Sequence, residues 1–177
     1  MGIYYKNLDK QTRKFMLKEL EMDIKNGTLY ISPRLNPVGQ SIWADLLREA
    51  IVNHNDDWLA TQLKVRGLMK SSEERRSRSG EITVARVPMN AHEVLAEGEF
   101  NRYYIRGLCA RAIAEGISEV VVYRGKQVQR PRPESQEIIG KRIDPRVLLK
   151  DLRKAQGVEP ALGIPPGPNS GLTVCLP

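Results

Sequence analysis

The run ITVARVPMNAHEVLAEGEFNRYYIRGLCARAIAEGISEVVVY, residues 82–123, decides how this chain folds. Ile82-Thr83-Val84-Ala85-Arg86-Val87 is rich in β-branched residues and is closed by Pro88, so it reads as a strand. Asn90 can cap a long helix over residues 91–115, and Gly116 ends it. Glu119-Val120-Val121-Val122-Tyr123 is a second strand with a nearly continuous apolar core. Strand, helix and strand in this order predict a βαβ crossover with parallel strands and a right-handed connection. Within the helix, Phe100, Tyr104, Leu108 and Ala112 recur every four residues and mark the buried face, which leaves Arg102 and Arg106 outside. Gly98 interrupts the pattern and is expected to split the helix.

Working outward towards the N-terminus, Asn7 or Asp9 caps a helix to about Lys25, with Phe15, Met16, Leu20 and Ile24 on one face and Gly27 at its end. Thr28-Leu29-Tyr30-Ile31 is strand-like and stops at Pro33. A helix from Ser41 turns Ile42, Trp43, Leu46, Leu47 and Ala50 inward. Asn55 or Asp56 caps another that carries Trp58, Leu59 and Leu63. Residues 1–69 therefore form a helical unit with one short strand. Residues 70–80, KSSEERRSRSG, lack periodicity and read as a polar linker or exposed loop. Residues 81–156 make an α/β unit, ending in a helix with Asp144 as cap and Pro145 at its first position. The fold class is α+β.

Residues 157–177, GVEPALGIPPGPNSGLTVCLP, form an arm. Pro160, Pro165, Pro166 and Pro168 exclude a helix or a central strand. The arm nevertheless ends in Leu172-Thr173-Val174-Cys175-Leu176, an apolar β-favouring run. Leu172, Thr173, Val174 and Leu176 are thus candidates for strand addition, either to this chain's own sheet edge or to a neighbour's.

The net charge is +7, carried on 28 Lys/Arg and 21 Asp/Glu, and it is uneven. Residues 1–63 balance at eight of each sign, whereas residues 124–177 carry ten basic against five acidic side chains. This bias favours an anionic partner, nucleic acid or an acidic protein face. Arg130, Arg132, Lys141 and Arg142 are the candidate anion contacts, together with Arg75, Arg76 and Arg78 in the polar stretch. No run of about 18 apolar residues exists to cross a membrane, and the start MGIYYKNLDKQTRKF has no signal-peptide core. The two cysteines, Cys109 and Cys175, read as buried thiols of a reducing compartment. A cytoplasmic location is expected.

Catalytic patterns fail one by one. Glu93, Glu97 and Glu99 could hold a hard cation or act as acid and base, but Arg102 and Arg106 follow at helical spacing and predict an ion-pair ladder instead. Glu97-Gly98-Glu99 matches the E-x-E of ADP-ribosyltransferases, with Val122-Tyr123-Arg124-Gly125 like their arginine strand. The order of the two is reversed relative to that family. In VVYRGK, Arg124 stands where a PD-(D/E)-x-K nuclease needs an acid. Asn53-His54-Asn55 lacks the second histidine of an H-N-H site. Two histidines and two isolated cysteines cannot complete a zinc site at the usual spacing, and no phosphate-binding glycine motif is present. No catalytic residue, cofactor or metal is expected.

The runs EFNRYYIRGLCARAI, VVYRGK and PPGPNSGLTV resemble small uncharacterised proteins of bacteria and their phages. That resemblance implies a virion-associated role, as a head, neck or capsid accessory, and carries over no functional residues. The sequence thus points to a non-enzymatic assembly subunit that meets other protein subunits, its own copies or neighbours, through the arm. A basic nucleic-acid-binding module is the alternative, and a metal-dependent hydrolase on the three glutamates a remote third.

Overall fold

A computed structural model describes residues 1–167 and 169–177; the arm's Pro168 lies outside the described residues. The class is α+β, with six helices and two small antiparallel sheets among the described residues.

Helix α1 (Lys10–Asn26) starts where the Asp9 carboxylate accepts the Thr12 N–H at 2.9 Å and stops at Gly27, whose φ of 68° only glycine adopts freely. Helix α2 (Pro37–Asn53) begins four residues before Ser41. Asn36 caps it by accepting the Gly39 N–H at 2.8 Å, and Pro37 fills the first position, where a missing N–H costs nothing. Helix α3 (Asp56–Val65) is capped by Asn55. Residues 28–31 form no strand; Tyr30 instead gives its carbonyl to the Trp43 indole at 3.2 Å.

Helix α4 (Ala91–Ala114) runs unbroken through Gly98 and is the centre of the molecule. Phe100, Tyr104, Leu108 and Ala112 are fully buried, as their spacing predicts. Tyr5 tilts over Phe100 and Tyr104 with ring centroids 5.3 and 4.6 Å away, a favourable aromatic geometry. At Gly107, an added Cβ would fall 2.5 Å from Met16 Cγ and 2.7 Å from Met16 N, so glycine is what lets α1 lie this close. Buried residues of α1, α2 and α3 share one contiguous core with those of α4 and of the C-terminal sheet.

The expected parallel crossover does not form. Strands β1 (Ser72–Arg76) and β2 (Ile82–Arg86) make an antiparallel hairpin, and β3 (Val120–Arg124) belongs to another sheet. Within the polar stretch 70–80, expected to be a linker or exposed loop, Ser72–Arg76 form the first strand of that hairpin. Ser77 and Gly80 close the turn, with Gly80 at φ 86°, and Glu73 is clamped by Arg34 and Arg75, both at 2.9 Å. Short antiparallel pairing across a tight turn has far less chain to close than a crossover of some thirty residues.

Beyond β3 come α5 (Pro133–Glu137), β4 (Arg142–Ile143), α6 (Pro145–Lys154) and β5 (Leu172–Cys175), in a sheet ordered β4-β3-β5. The end of the arm is therefore paired within its own chain. Leu172 lies opposite Arg124, Thr173 opposite Tyr123 and Val174 opposite Val122, and all three arm residues are completely buried. Asn101 donates to the Leu172 carbonyl at 2.8 Å, and the Leu176 N–H donates to Asn7 at 2.9 Å. No described helix is long and apolar enough to cross a membrane.

Candidate functional site

The hairpin is the element least absorbed by the core. Its register pairs Glu74 with Val84 and Arg76 with Ile82 on one face. Ile82 and Val84 remain 55% and 73% exposed, and Met89 just beyond them 98%. The Ser77 N–H donates to the Glu81 carbonyl and the Val87 N–H to the Ser71 carbonyl, both within 3.0 Å. In an antiparallel ladder the bonded pairs alternate, so Thr83 and Ala85 bond β1 while Ile82 and Val84 turn their N–H and C=O groups outward. The free edge of β2 is thus nearly uncharged, whereas β1 carries Glu73, Glu74, Arg75 and Arg76. A charged edge resists pairing; an apolar, β-branched one invites it.

The predicted anion contacts do not gather. Arg75 is held by Glu73, while Arg76 and Arg78 have no carboxylate within salt-bridge distance among the described residues. Arg142 sits on β4 and reaches Glu119 at 3.2 Å. Arg130 and Arg132 do come together, with Arg124, around a cleft of about 500 Å³. Arg124 is fixed there by donating to the Ser170 carbonyl at 2.7 Å and to Ser135 Oγ at 3.2 Å. Arg124, which the sequence reading did not place among the candidate anion contacts, is brought here because β5 pairs Leu172 opposite it. Glu134 and Glu159 line the same cleft and dilute its charge.

The predicted ion-pair ladder on α4 is absent. Arg106 is only 2% exposed and faces α1, where its Nη1 donates to Asp23 Oδ2 at 2.6 Å and its Nε to Glu19 Oε1 at 3.2 Å. Tyr103 Oη also donates to Asp23, at 2.7 Å, and Arg153 from α6 reaches Glu19 at 2.8 Å. Burial works to raise the Asp23 carboxyl, but the Arg106 and Tyr103 hydrogen bonds outweigh it and hold the group below the usual aspartate range. Arg102 donates to the carbonyls of Ala155 and Val158. Glu97 pairs with Lys126 at 2.6 Å, and Glu99 pairs with neither arginine.

Nor do the three glutamates converge. Glu93 and Glu97 line a cleft with Asp56, Asp57 and His92, whereas Glu99 lines a second cleft that Glu97 also borders and Glu93 does not. Asp56 is almost fully buried, accepts the Ile3 N–H at 3.0 Å through Oδ2 and leaves Oδ1 without a donor. Burial, with the charges of Asp57 and Glu97, pushes its carboxyl up to about 6. Among the described residues no three His, Cys, Asp or Glu side chains are grouped to hold a metal ion. Cys109 is buried in the core and its thiol is pushed far up by that burial, which leaves it a poor nucleophile.

No protein-family model matches this chain, and neither a curated protein nor a solved structure matches it.

Proposed function

We propose that this protein is a non-enzymatic assembly subunit whose contact element is the free edge of β2, and that the edge pairs with the same edge of a second copy. One observation carries the reading: the outer edge at Ile82 and Val84, within the uncharged run Ile82-Thr83-Val84-Ala85, on a ribbon with only two strands. An isolated hairpin is marginally stable in water, and further strands with an apolar face stabilise it. Two β2 edges related by a two-fold axis through Val84 would pair antiparallel, Ile82 opposite Arg86 of the second copy, in a four-stranded sheet. Such a contact is self-complementary, as a closed dimer requires. The C-terminal strand, the other candidate for this role, is occupied at home. A virion component, in head, neck or capsid, is the setting implied by the resemblance of the sequence to phage proteins.

The test is light scattering after size exclusion. Wild type should elute with twice the chain mass. Val84→Pro removes an outward N–H without touching the β1 ladder, and should elute with the mass of one chain. A wild-type monomer at micromolar concentration overturns the reading.

A second reading is supported by the convergence of Arg124, Arg130 and Arg132 on one cleft. In it the protein binds nucleic-acid phosphates, with affinity falling steeply as salt rises. Arg130→Glu together with Arg132→Glu should abolish binding to a labelled oligonucleotide and leave the dimer intact.

A further inference from the structure

A cleft of about 290 Å³ lies between one face of α4 and the arm, with Gly98 on its floor. A glycine in a helix interior weakens the helix relative to alanine. Gly107 has a steric reason to be glycine, but Gly98 has none, because a Cβ built there meets nothing within 4 Å. The missing side chain keeps the cleft open.

Two acceptors at this opening lack donors, while Arg102 and Glu97, the latter held by Lys126, line it as well. Glu99 lines the cleft and is only 7% exposed, yet no described residue hydrogen-bonds or ion-pairs with its carboxylate. The arginines one and two turns further along are committed elsewhere, Arg102 to the Ala155 and Val158 carbonyls and Arg106 to Asp23 and Glu19. Asn101, 3% exposed, also lines the cleft; its Nδ2 donates to Leu172 and its buried Oδ1 has no partner. Burial pushes the Glu99 carboxyl up to about 7, against the pull of Arg102 and Arg106, as expected of a charge left without a partner. Tyr30, Leu95, Pro160, Pro165 and Pro166 form apolar parts of the wall, and Arg102 and Glu159 charged ones.

We propose that this cleft binds an alkylammonium or alkylguanidinium group, its charged head on Glu99 and its apolar stem against Tyr30 and the arm prolines. The chemistry of the donor set selects this class. An anion would meet Glu97 and Glu99. A neutral apolar ligand would leave Glu99 buried and unpaired, at a cost in affinity. A divalent cation needs more oxygen ligands than are gathered here. Two sources share the chemistry: a lysine or arginine side chain of another copy, or a free amine or guanidine of similar length. No residue of the hairpin lines the cleft, so the site is separate from the β2 edge.

The experiment is an NMR titration of the full chain with n-butylguanidinium, followed at the Gly98 and Glu99 amides, with butyrate as the anionic match. A saturable shift with the guanidinium and none with butyrate is expected. Glu99→Gln should weaken binding about tenfold or more. Gly98→Leu should abolish it by filling the open space, and its dispersed spectrum will show that the fold is kept. Light scattering during the wild-type titration separates the sources. A fall in mass means that the ligand displaces a side chain of a second copy, and an unchanged mass means that the site serves a free ligand. No saturable shift at Gly98, equal binding of butyrate, or unaltered affinity in both variants overturns the proposal.

Discussion

Arg106 of α4 and Asp23 of α1 are joined by a 2.6 Å hydrogen bond between two side chains that are each about 95% buried or more. Glu19, Tyr103, Arg153 and Gln156 complete the same network, so the two longest-packed helices meet through charge as well as through apolar contact. Arg106 Nη2 is left without a partner, which makes the network costly to disturb.

Removing one partner strands the others. Arg106→Ala leaves Glu19 and Asp23 buried with reduced compensation and should cost about 3–5 kcal/mol, measured by urea unfolding. A loss below about 1 kcal/mol would mean that water or Arg153 takes over the role.

Glu99 should make stability fall as pH rises. Its carboxyl titrates near 7 in the folded chain, against roughly 4.3 when unfolded. A raised folded pKa means that the unfolded state releases the proton first, so the stabilisation from the protonated form is complete below about pH 4 and lost as pH climbs through 7. Glu99→Gln should therefore be more stable than wild type at pH 8, by at most about 4 kcal/mol, and equal to it at pH 4. Asp23 acts in the opposite sense: its lowered carboxyl adds stability at neutral pH that disappears on acidification.

The two glycines inside α4 should respond oppositely to alanine. At Gly98 the new methyl enters open space, and the helix gains about 0.5–1 kcal/mol. At Gly107 it would strike Met16 backbone and side chain within 2.9 Å, and overpacking of this kind costs about 1–3 kcal/mol. Thermal unfolding of the pair should show one midpoint above wild type and one below.

Deleting residues 172–177 should damage the fold before it affects any assembly. The strand removed covers Val122 and takes the Asn101 and Asn7 hydrogen bonds with it. Loss of dispersed amide resonances in the truncated chain is the expected result. A well-folded truncated protein would mean that β5 contributes little at home and is free for a neighbour.

The parts of the fold legible in the sequence were those written in local chemistry. Asp144 announced its helix as a cap, Asp9 and Asn55 were each one of two candidates for theirs, and the four-residue spacing from Phe100 to Ala112 marked the buried face of α4. What stayed hidden was set by distant partners. Arg102 follows Glu99 by three residues and Arg106 follows Arg102 by four on one helix, but the carboxylates that claim Arg106 lie more than eighty positions away on α1. Ser72–Arg76 has no hydrophobic alternation because neither face of the hairpin is buried, so periodicity could not reveal β1. The strand character of Leu172–Cys175 was plain, whereas its partner depended on which edge of β3 was free. Of the basic candidates, only Arg130 and Arg132 meet in one cleft, since linear charge density says nothing about register.

The pairing of β2 with its own copy is tested most directly by a cross-link at Val84. Directly opposed residues of an antiparallel pair have Cα atoms about 4.5–5.5 Å apart, within disulfide range. In a Cys175→Ser background, Val84→Cys should form a covalent dimer under mild oxidation, and Glu74→Cys on the charged β1 strand should not. A Val84→Cys chain that stays monomeric, or links no faster than Glu74→Cys, would contradict pairing through the β2 edge.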